Sequence, residues 1–441
     1  MFQFGVRQYE FSKNKIVNES ILYLLIFFTI ALSRDTLYTY AKFNFFITFI
    51  TYIGIIAICG IVLLIKYYKQ GYVFREKATW FILFYIVAIL LSSLIKLDFQ
   101  LYVLSILFYI GVAYLFIHIF TFDDFFKKFS NLLCILGVYS LVCCYVLRPF
   151  LFKNFDSIPL VTNSVGLQFF DLELSFVVPI KTYLRNFGIF REPGVYGIFI
   201  NIALLYELIY NPQKYRFIHI VILLLTCVST FSPPAIAVTG LFVLVGIIKA
   251  ILEKRLSKNQ LMIICGVLLL AVIIFIIACC LNYHLYMLVT ETVKKLVTVN
   301  DSTSARGNSL FKDINQFLHS PIWGNDFSVV LADKTYSIAS TTGFFALFGL
   351  LGGTFHILSF WLIVKKDANK LWLKFTLLFG LLILFNTQFI VGNPIFWIFS
   401  FSSFMLRDNE NDEENQFDII KSFREKSLKL KTGFTIKSVK E

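Results

Sequence analysis

The sequence predicts an all-α membrane protein that crosses the bilayer many times. Hydrophobic residues make up 58% of the 441 residues, charged residues make up only 15%, and the mean hydropathy is +0.76. Soluble domains have about 45–50% apolar and about 25% charged residues. Apolar stretches long enough to cross a bilayer core of about 30 Å recur along the chain. We therefore expect a polytopic bundle of transmembrane helices.

The apolar runs predict about twelve spans within one membrane domain, residues 1–406. These spans are 20–32, 44–65, 78–95, 99–120, 130–147, 193–210, 216–230, 234–251, 260–281, 338–364, 371–389 and 392–406. A polar C-terminal tail, 407–441, starts acidic and becomes basic. The tail suits either a short amphipathic helix on the inner leaflet or a disordered segment.

The distribution of lysine and arginine predicts the orientation of the bundle. If the N-terminus is cytoplasmic, the even-numbered connections are cytoplasmic too, and each of them holds basic residues, whereas the short odd connections 231–233 and 390–391 are nearly uncharged. This is the positive-inside pattern. It places both termini in the cytoplasm and leaves two long loops, 148–192 and 282–337, on the outer side. The net charge of +13 is thereby explained by orientation, without a nucleic-acid partner.

The interiors of the spans offer little chemistry. All eight cysteines lie in apolar spans and none belongs to a Cys-x-x-Cys motif near histidines, so we predict neither a disulfide framework nor a metal or cofactor site. Ionisable residues inside the spans are few, which argues against an ion-coupled transporter, because buried charges mark ion pathways. We therefore expect any chemistry at the outer boundary.

The first candidate motif at that boundary is RNFGIFREPGVYGIF, residues 185–199. Pro193 suits the first turn of a helix. The N–H groups at such a helix start favour anions, and Arg185 and Arg191 stand beside it. The alternative, that both arginines only extend to the membrane surface from a helix end, has equal weight on this motif alone.

The second outer loop contains STSARGNSLFKDINQFLHSPIWGNDF, residues 302–327. Its apolar residues recur at helical spacing and predict an amphipathic helix that opens at Arg306, lies on the membrane surface and ends before Pro321. Each long loop thus supplies an arginine near the headgroup level. Two guanidinium groups that meet there can bind a phosphate or pyrophosphate through forked hydrogen bonds.

Three stretches together resemble the O-antigen polymerase (Wzy) family, which is related to the O-antigen ligases. They are RNFGIFREPGVYGIF, then LLLTCVSTFSPPAIAVTGLF at 223–242, then SARGNSLFKDINQFLHSPIWGNDF. The resemblance implies a GT-C-like fold and a metal-independent glycosyltransferase at the periplasmic face of the bacterial inner membrane. Such an enzyme transfers a growing glycan from undecaprenyl pyrophosphate to the next lipid-linked repeat unit. A chain-length regulator and a flippase are further candidate partners, besides the lipid-linked oligosaccharide and the bilayer.

The resemblance and the chemistry of glycosyl transfer predict the site residues. Arg191 and Arg306 are expected to stabilise the departing pyrophosphate, with Arg185 as a weaker third. Glu192 is the first candidate for a general base, followed by His319 and Asp326, although Glu192 could instead only pair with an arginine. The side chains expected to contact sugar are Tyr196, Trp323, Asn325 and Tyr336.

Two alternatives stay open. Ligases of this superfamily often carry a His-Asn pair after the turn of the last large loop, and the corresponding DKTYSIAST, residues 333–341, has no histidine. This disfavours an O-antigen ligase that transfers glycan to a lipid A core. A flippase or exporter of lipid-linked glycan would need a polar central path, and the spans contain few charges to line one.

Overall fold

The computed structural model describes most of the chain. It covers residues 19–33, 35–39, 45–70, 75–97, 101–163, 166–180, 183–211, 217–253, 301–326, 339–365 and 370–406, with scattered positions between 277 and 290. The predicted span 260–281 lies almost entirely outside the described residues. The tail 407–441 lies entirely outside them.

Helices dominate this part of the chain. In order they are α1 (Glu19–Ala31), α2 (Phe45–Gln70), α3 (Glu76–Ile95), α4 (Leu101–Ile119), α5 (Phe122–Leu141), α6 (Arg148–Lys153), α7 (Pro193–Leu205), α8 (Phe217–Ser229), α9 (Pro233–Leu252), α10 (Asp301–His319), α11 (Ser340–Lys365), α12 (Leu371–Asn386) and α13 (Pro394–Phe401). The π-helical turns Val142–Val146 and Tyr206–Tyr210 extend α5 and α7.

Six of these helical stretches are long and apolar enough to cross a membrane, and they belong to α3, α4, α5, α7, α9 and α11. Shorter apolar helices occur at α1, α2, α8, α12 and α13. The predicted helical membrane protein is therefore confirmed at this level, whereas the count of twelve spans stays a prediction.

Helix α5 begins earlier than the predicted span 130–147. The Thr121 hydroxyl accepts a hydrogen bond from the Asp124 backbone N–H at 3.2 Å and so caps the helix start. Two aspartates in the first turn suit the positive end of the helix dipole. Lys128 is buried, and its Nζ lies 2.8 Å from a Glu19 carboxylate oxygen. The Thr121 cap and the Lys128–Glu19 ion pair thus extend the helix through residues 122–129, which the sequence alone presents as a charged connection.

The all-α prediction is wrong for part of the loop 148–192, which contains a three-stranded antiparallel sheet in the order β1 (Leu160–Thr162), β2 (Gln168–Asp171), β3 (Phe176–Val177). Phe170 pairs with Leu160 on one side and Val177 on the other. Both residues of β3 are buried. Cross-strand contact stabilises these short strands, which have no helical periodicity to reveal them.

Helix α11 is broken at Gly349, which has φ 60° and ψ −159°. The segment 340–348 bends back over the start of 350–365. A β-carbon at Gly352 would lie 2.4 Å from the Phe348 β-carbon, and one at Gly353 would lie 2.3 Å from the Phe345 ring. Only glycines allow this close approach. The predicted span 338–364 is therefore two helical segments joined by a sharp bend.

Polar contacts collect at two opposite ends of the bundle. At the predicted outer end, residues after α1 and α12 meet residues at the starts of α7, α11 and α13. At the other end, Glu207 in the π-helical turn after α7 meets Ser130 of α5 and His219 at the start of α8. The core between them combines aliphatic and aromatic side chains, with Tyr85 and Trp397 among the fully buried ones.

Candidate functional site

Arg191 is held by the segment that follows α1. Its backbone N–H donates to the Asp35 carbonyl at 2.9 Å, and its Nε lies 3.2 Å from the Asp35 carboxylate oxygen Oδ1. Thr36 and Phe190 form an antiparallel β-bridge next to this pair, and the Leu37 N–H donates to the Ile189 carbonyl. Backbone pairing therefore places the guanidinium directly beside a carboxylate.

Asp35 is buried, and a third element binds it. Its Oδ2 accepts a hydrogen bond from the Asn393 side-chain amide at 3.1 Å. The Asn393 side-chain oxygen Oδ1 in turn caps α13 by accepting from the Ile395 N–H at 2.9 Å. A buried carboxylate is tolerated when it is paired and hydrogen-bonded in this way. The Arg191 side chain keeps 22% of its surface exposed. Asp35 therefore orients the side chain, and part of it remains accessible.

Glu192 stands at the N-cap of α7 but its side chain does not cap the helix. Its Oε2 accepts a hydrogen bond from the Gln388 side-chain amide at 2.9 Å, and its Oε1 lies 3.9 Å from Arg191 Nη1. The Glu192 side chain is 46% exposed. Gly194 leaves room for Gln388, because a β-carbon there would lie 3.1 Å from Nε2.

Gln388 is itself fixed by the start of α11. The Ser340 hydroxyl donates to the Gln388 carbonyl at 2.6 Å and accepts from the Ile390 N–H at 2.8 Å. We call the set Asp35, Arg191, Glu192, Gln388 and Asn393 the Arg191 cluster. It joins a guanidinium, a half-exposed carboxylate and two amides at the start of α7, an arrangement that can bind an anion and accept a proton.

Arg185 contacts the turn between α8 and α9. Its Nε and Nη2 each lie 3.1 Å from a backbone carbonyl, those of Thr230 and Phe231. Phe231 has φ 46°, an uncommon value for a residue with a side chain. The guanidinium therefore stabilises the turn between α8 and α9, and its assignment to substrate binding stays a prediction.

Tyr196 is completely buried, which corrects its assignment to sugar binding. Its ring lies under Gly188, where a β-carbon would approach to 2.7 Å, and its hydroxyl is 3.2 Å from Ser140 Oγ. The neighbouring Asn186 is also buried and donates to Ser140 and Ser229. Asn186 and Tyr196 therefore hold the segment before α7 against α5 and α8.

Trp323 and Asn325 form the turn after α10. The Asn325 side-chain amide donates to the Gln316 carbonyl, and its backbone N–H donates to the Ala346 carbonyl at 2.8 Å. Lys96 Nζ donates to the Asn325 carbonyl at 2.9 Å, and the Ser92 hydroxyl donates to the Trp323 carbonyl. These contacts anchor the loop, and the Trp323 and Asn325 side chains stay partly exposed, so their assignment to sugar binding stays a prediction.

The remaining predicted residues are less closely defined. His319 is exposed at the last turn of α10, and Asp326 is half-buried after the turn. Arg306 belongs to α10, as predicted for the loop helix, but its side chain lies outside the described residues. Tyr336 lies outside them entirely.

The sequence-based search missed Asp35, Gln388 and Asn393. A usable signal existed, because SRD lies two residues after α1 and TQFIVGN separates α12 from α13, so both place polar side chains at the predicted outer boundary. Within the described parts of the chain, no group of three or more His, Cys, Asp or Glu residues is arranged to hold a metal ion.

The fold and this cluster define a multi-pass helical membrane protein with a charged, partly open site at the start of one helix. No family model, no curated protein and no solved structure matches the chain.

Proposed function

We propose that the chain is a polysaccharide repeat-unit polymerase of the bacterial inner membrane, with both termini in the cytoplasm. It transfers a growing glycan from undecaprenyl pyrophosphate to the next lipid-linked repeat unit at the periplasmic face, in the synthesis of an O-antigen or a capsule. The observation that carries this proposal is the oriented Arg191 beside the accessible Glu192 at the start of α7.

The reaction needs both groups. The bond between the anomeric carbon and a pyrophosphate oxygen breaks, and undecaprenyl pyrophosphate leaves with the electron pair. The acceptor hydroxyl oxygen bonds to that carbon and loses its proton to a base. Arg191, oriented in advance by Asp35, stabilises the negative charge that develops on the leaving group. Glu192, oriented by Gln388, is the base in this scheme.

The burial of Asp35 beneath the guanidinium strengthens this arrangement. A cation and its counter-charge that are already fixed do not have to reorganise when the transition state forms. The same surroundings make an unpaired charge costly, so Asp35 holds the guanidinium in place while no substrate is bound. Arg306 is the second cation of the proposed site, contributed by the loop helix α10.

Reconstitution tests the function directly. Purified protein in liposomes receives a synthetic undecaprenyl-pyrophosphate repeat unit with EDTA present, and a gel separates the products. The expected result is a ladder of longer lipid-linked glycans, absent for an Arg191→Ala control. Glycan on a lipid A core acceptor instead of a ladder would identify a ligase. Transfer of unextended lipid-linked sugar across sealed liposomes, without a ladder, would identify a flippase.

A further inference from the structure

We propose that Ser232 and the first turn of α7 bind the departing pyrophosphate. The Ser232 hydroxyl and the backbone N–H groups of Gly194 and Val195 donate hydrogen bonds to one of its oxygens. This inference rests on the proposed function for the identity of the ligand. The binding itself can be measured separately from polymerisation.

Helices α7 and α9 start at the same level of the bundle. Gly197 of α7 packs so closely on α9 that a β-carbon there would lie 2.4 Å from the Ala235 β-carbon. One turn further along, the Thr239 hydroxyl donates to the Asn201 side-chain oxygen at 2.9 Å. Each contact joins residues 38 positions apart, so the two helices run in the same direction. The positive ends of both helix dipoles therefore point to the same place.

The first turn of α7 has backbone donors that the helix itself does not use. Pro193 has no N–H, and the Glu192 side chain does not cap the helix. The Tyr196 N–H donates to the Glu192 carbonyl at 3.2 Å. Among the described residues, the N–H groups of Gly194 and Val195 have no acceptor. Such N–H groups at a helix start attract the oxygens of an anion.

Ser232 supplies a side-chain donor beside this turn. The residue is 2% exposed, stands at the start of α9 and does not cap that helix. Its hydroxyl makes no hydrogen bond within the part of the chain that the structure describes. It lies 3.6 Å from the position of a β-carbon at Gly194, and thus faces the first turn of α7. A buried hydroxyl without a partner is costly, and an oxygen of a ligand would supply the acceptor.

Arg185 and Thr230 fix the position of Ser232. The guanidinium donates to the Thr230 and Phe231 carbonyls at 3.1 Å, and the Ser232 N–H donates to the Thr230 hydroxyl oxygen at 3.3 Å. Phe231 has φ 46°, which a residue with a side chain adopts only when its surroundings impose it. The Ser232 hydroxyl is therefore oriented before any ligand arrives, as a donor to developing charge should be.

Gly194 keeps the space between these donors open. A helical β-carbon is tilted toward the helix start, and at Gly194 it would lie 3.1 Å from Gln388 Nε2 and 3.6 Å from Ser232 Oγ. The Gln388 amide donates one hydrogen to the Glu192 carboxylate and has a second one. An amide donor therefore lies between this space and the carboxylate, which by itself would repel an anion.

The site has two parts, which suit the two phosphates of a pyrophosphate. Glu192 contacts both Arg191 and Gln388, so the guanidinium and the space at Gly194 are neighbours. One phosphate can pair with Arg191 while an oxygen of the other accepts from Ser232 and the start of α7, and bonds to an ionised acceptor are strong. A bilayer lipid with a single phosphate would make only one of these contacts, which favours the pyrophosphate carrier.

The first arm of the test measures binding of undecaprenyl pyrophosphate to the purified full chain in detergent. Ser232→Ala should raise the Kd about tenfold or more, as expected for loss of a hydrogen bond to a charged group. Gly194→Ala should raise it at least as much, because the methyl group fills the space that the ligand oxygen needs. Neither change removes a side-chain hydrogen bond within the described residues, so the melting temperature should not fall. An unchanged Kd in both variants overturns the proposal.

Two variants serve as matched controls. Gly240→Ala adds a methyl group to α9 where nothing lies within 4 Å, and Ser175→Ala removes a buried hydroxyl that also has no partner among the described residues. Both should leave the Kd unchanged. Inorganic pyrophosphate should compete with the lipid, whereas undecaprenol should not. If phosphatidylglycerol competes as well as inorganic pyrophosphate, the ligand is a bilayer phosphate and the assignment to pyrophosphate is overturned.

The second arm measures glycan polymerisation. Charge on the leaving group is largest in the transition state, so Ser232→Ala should lower the turnover number about tenfold to a hundredfold, with Gly240→Ala unaffected. An unchanged turnover number would contradict the role of Ser232 toward the departing pyrophosphate. If the unaltered protein binds undecaprenyl pyrophosphate through Ser232 but makes no polymer, the proposed function fails and the pyrophosphate site stands.

Discussion

Helix α7 carries a carboxylate near each end, and their surroundings differ. Glu192, at the start, is 46% exposed and faces Arg191 and Gln388. Glu207 lies in the π-helical turn at the other end, and its side chain is fully buried. Its oxygens accept from Ser130 at 2.5 Å and Asn211 at 2.8 Å, and His219 Nδ1 lies 3.3 Å away.

The comparison distinguishes an accessible candidate site around Glu192 from an enclosed structural network around Glu207. Three side chains from neighbouring segments surround Glu207, and Lys249 donates to the Ile209 carbonyl in the same turn. Such an enclosed network connects α5, α7 and α8 and rigidifies them. The Arg191 cluster uses the same chemistry to orient two charged groups that solvent or a ligand can still reach. Accessibility, more than the presence of buried charge, therefore distinguishes the end of α7 that the proposed function uses.

Replacing Arg191 should have the largest effect on activity. Loss of one preorganised donor typically costs about a hundredfold to a thousandfold in rate, so Arg191→Ala should yield almost no polymer. Arg191→Lys should recover part of it, because lysine keeps the charge but not the forked geometry. Gel analysis of reconstituted protein measures both.

Arg191→Ala also leaves Asp35 without its cation. The double variant Asp35→Asn/Arg191→Ala removes that unpaired charge and serves as the control. If the double variant regains full polymerisation, the arginine is only a counter-ion for Asp35, and the assignment of Arg191 to the pyrophosphate is lost.

Glu192→Gln should have the next largest effect. The new side chain can still accept a hydrogen bond from Gln388, so the geometry is retained while the basic group disappears. Removal of a general base commonly costs about a hundredfold or more, and turnover of the lipid-linked substrate should fall by that order. Near-normal turnover would reduce Glu192 to a structural partner of Arg191. Glu253→Gln, at the opposite end of the bundle, is the control.

Glu207→Leu should change stability and leave the catalytic step intact. It removes the acceptor for Ser130 and Asn211, and each buried donor left without a partner costs about 1–3 kcal/mol. A lower melting temperature in detergent is expected, with unchanged turnover for the protein that remains folded. Loss of turnover at an unchanged melting temperature would show that the enclosed cluster is functional and would break the distinction drawn between the two ends of α7.

Several elements could be predicted from local pattern. The predicted span 193–210 agrees with Pro193–Tyr210, and a helix does occupy the second loop before Pro321, although it begins at Asp301. The sheet in 148–192 escaped prediction because its strands are two to four residues long. The bend at Gly349 escaped it because hydropathy is continuous across the break.

The sequence by itself determined that the chain is a helical membrane protein and that Arg191 and Glu192 stand at a helix start, because length, hydropathy and a proline at the first turn act locally. Only the tertiary structure decided which partners they meet. Glu192 and Gln388 are 196 residues apart, and Asp35 and Asn393 are 358 residues apart. Folding also enclosed Tyr196 and committed Arg185 to a turn, since burial and hydrogen-bond partners depend on how distant helices pack.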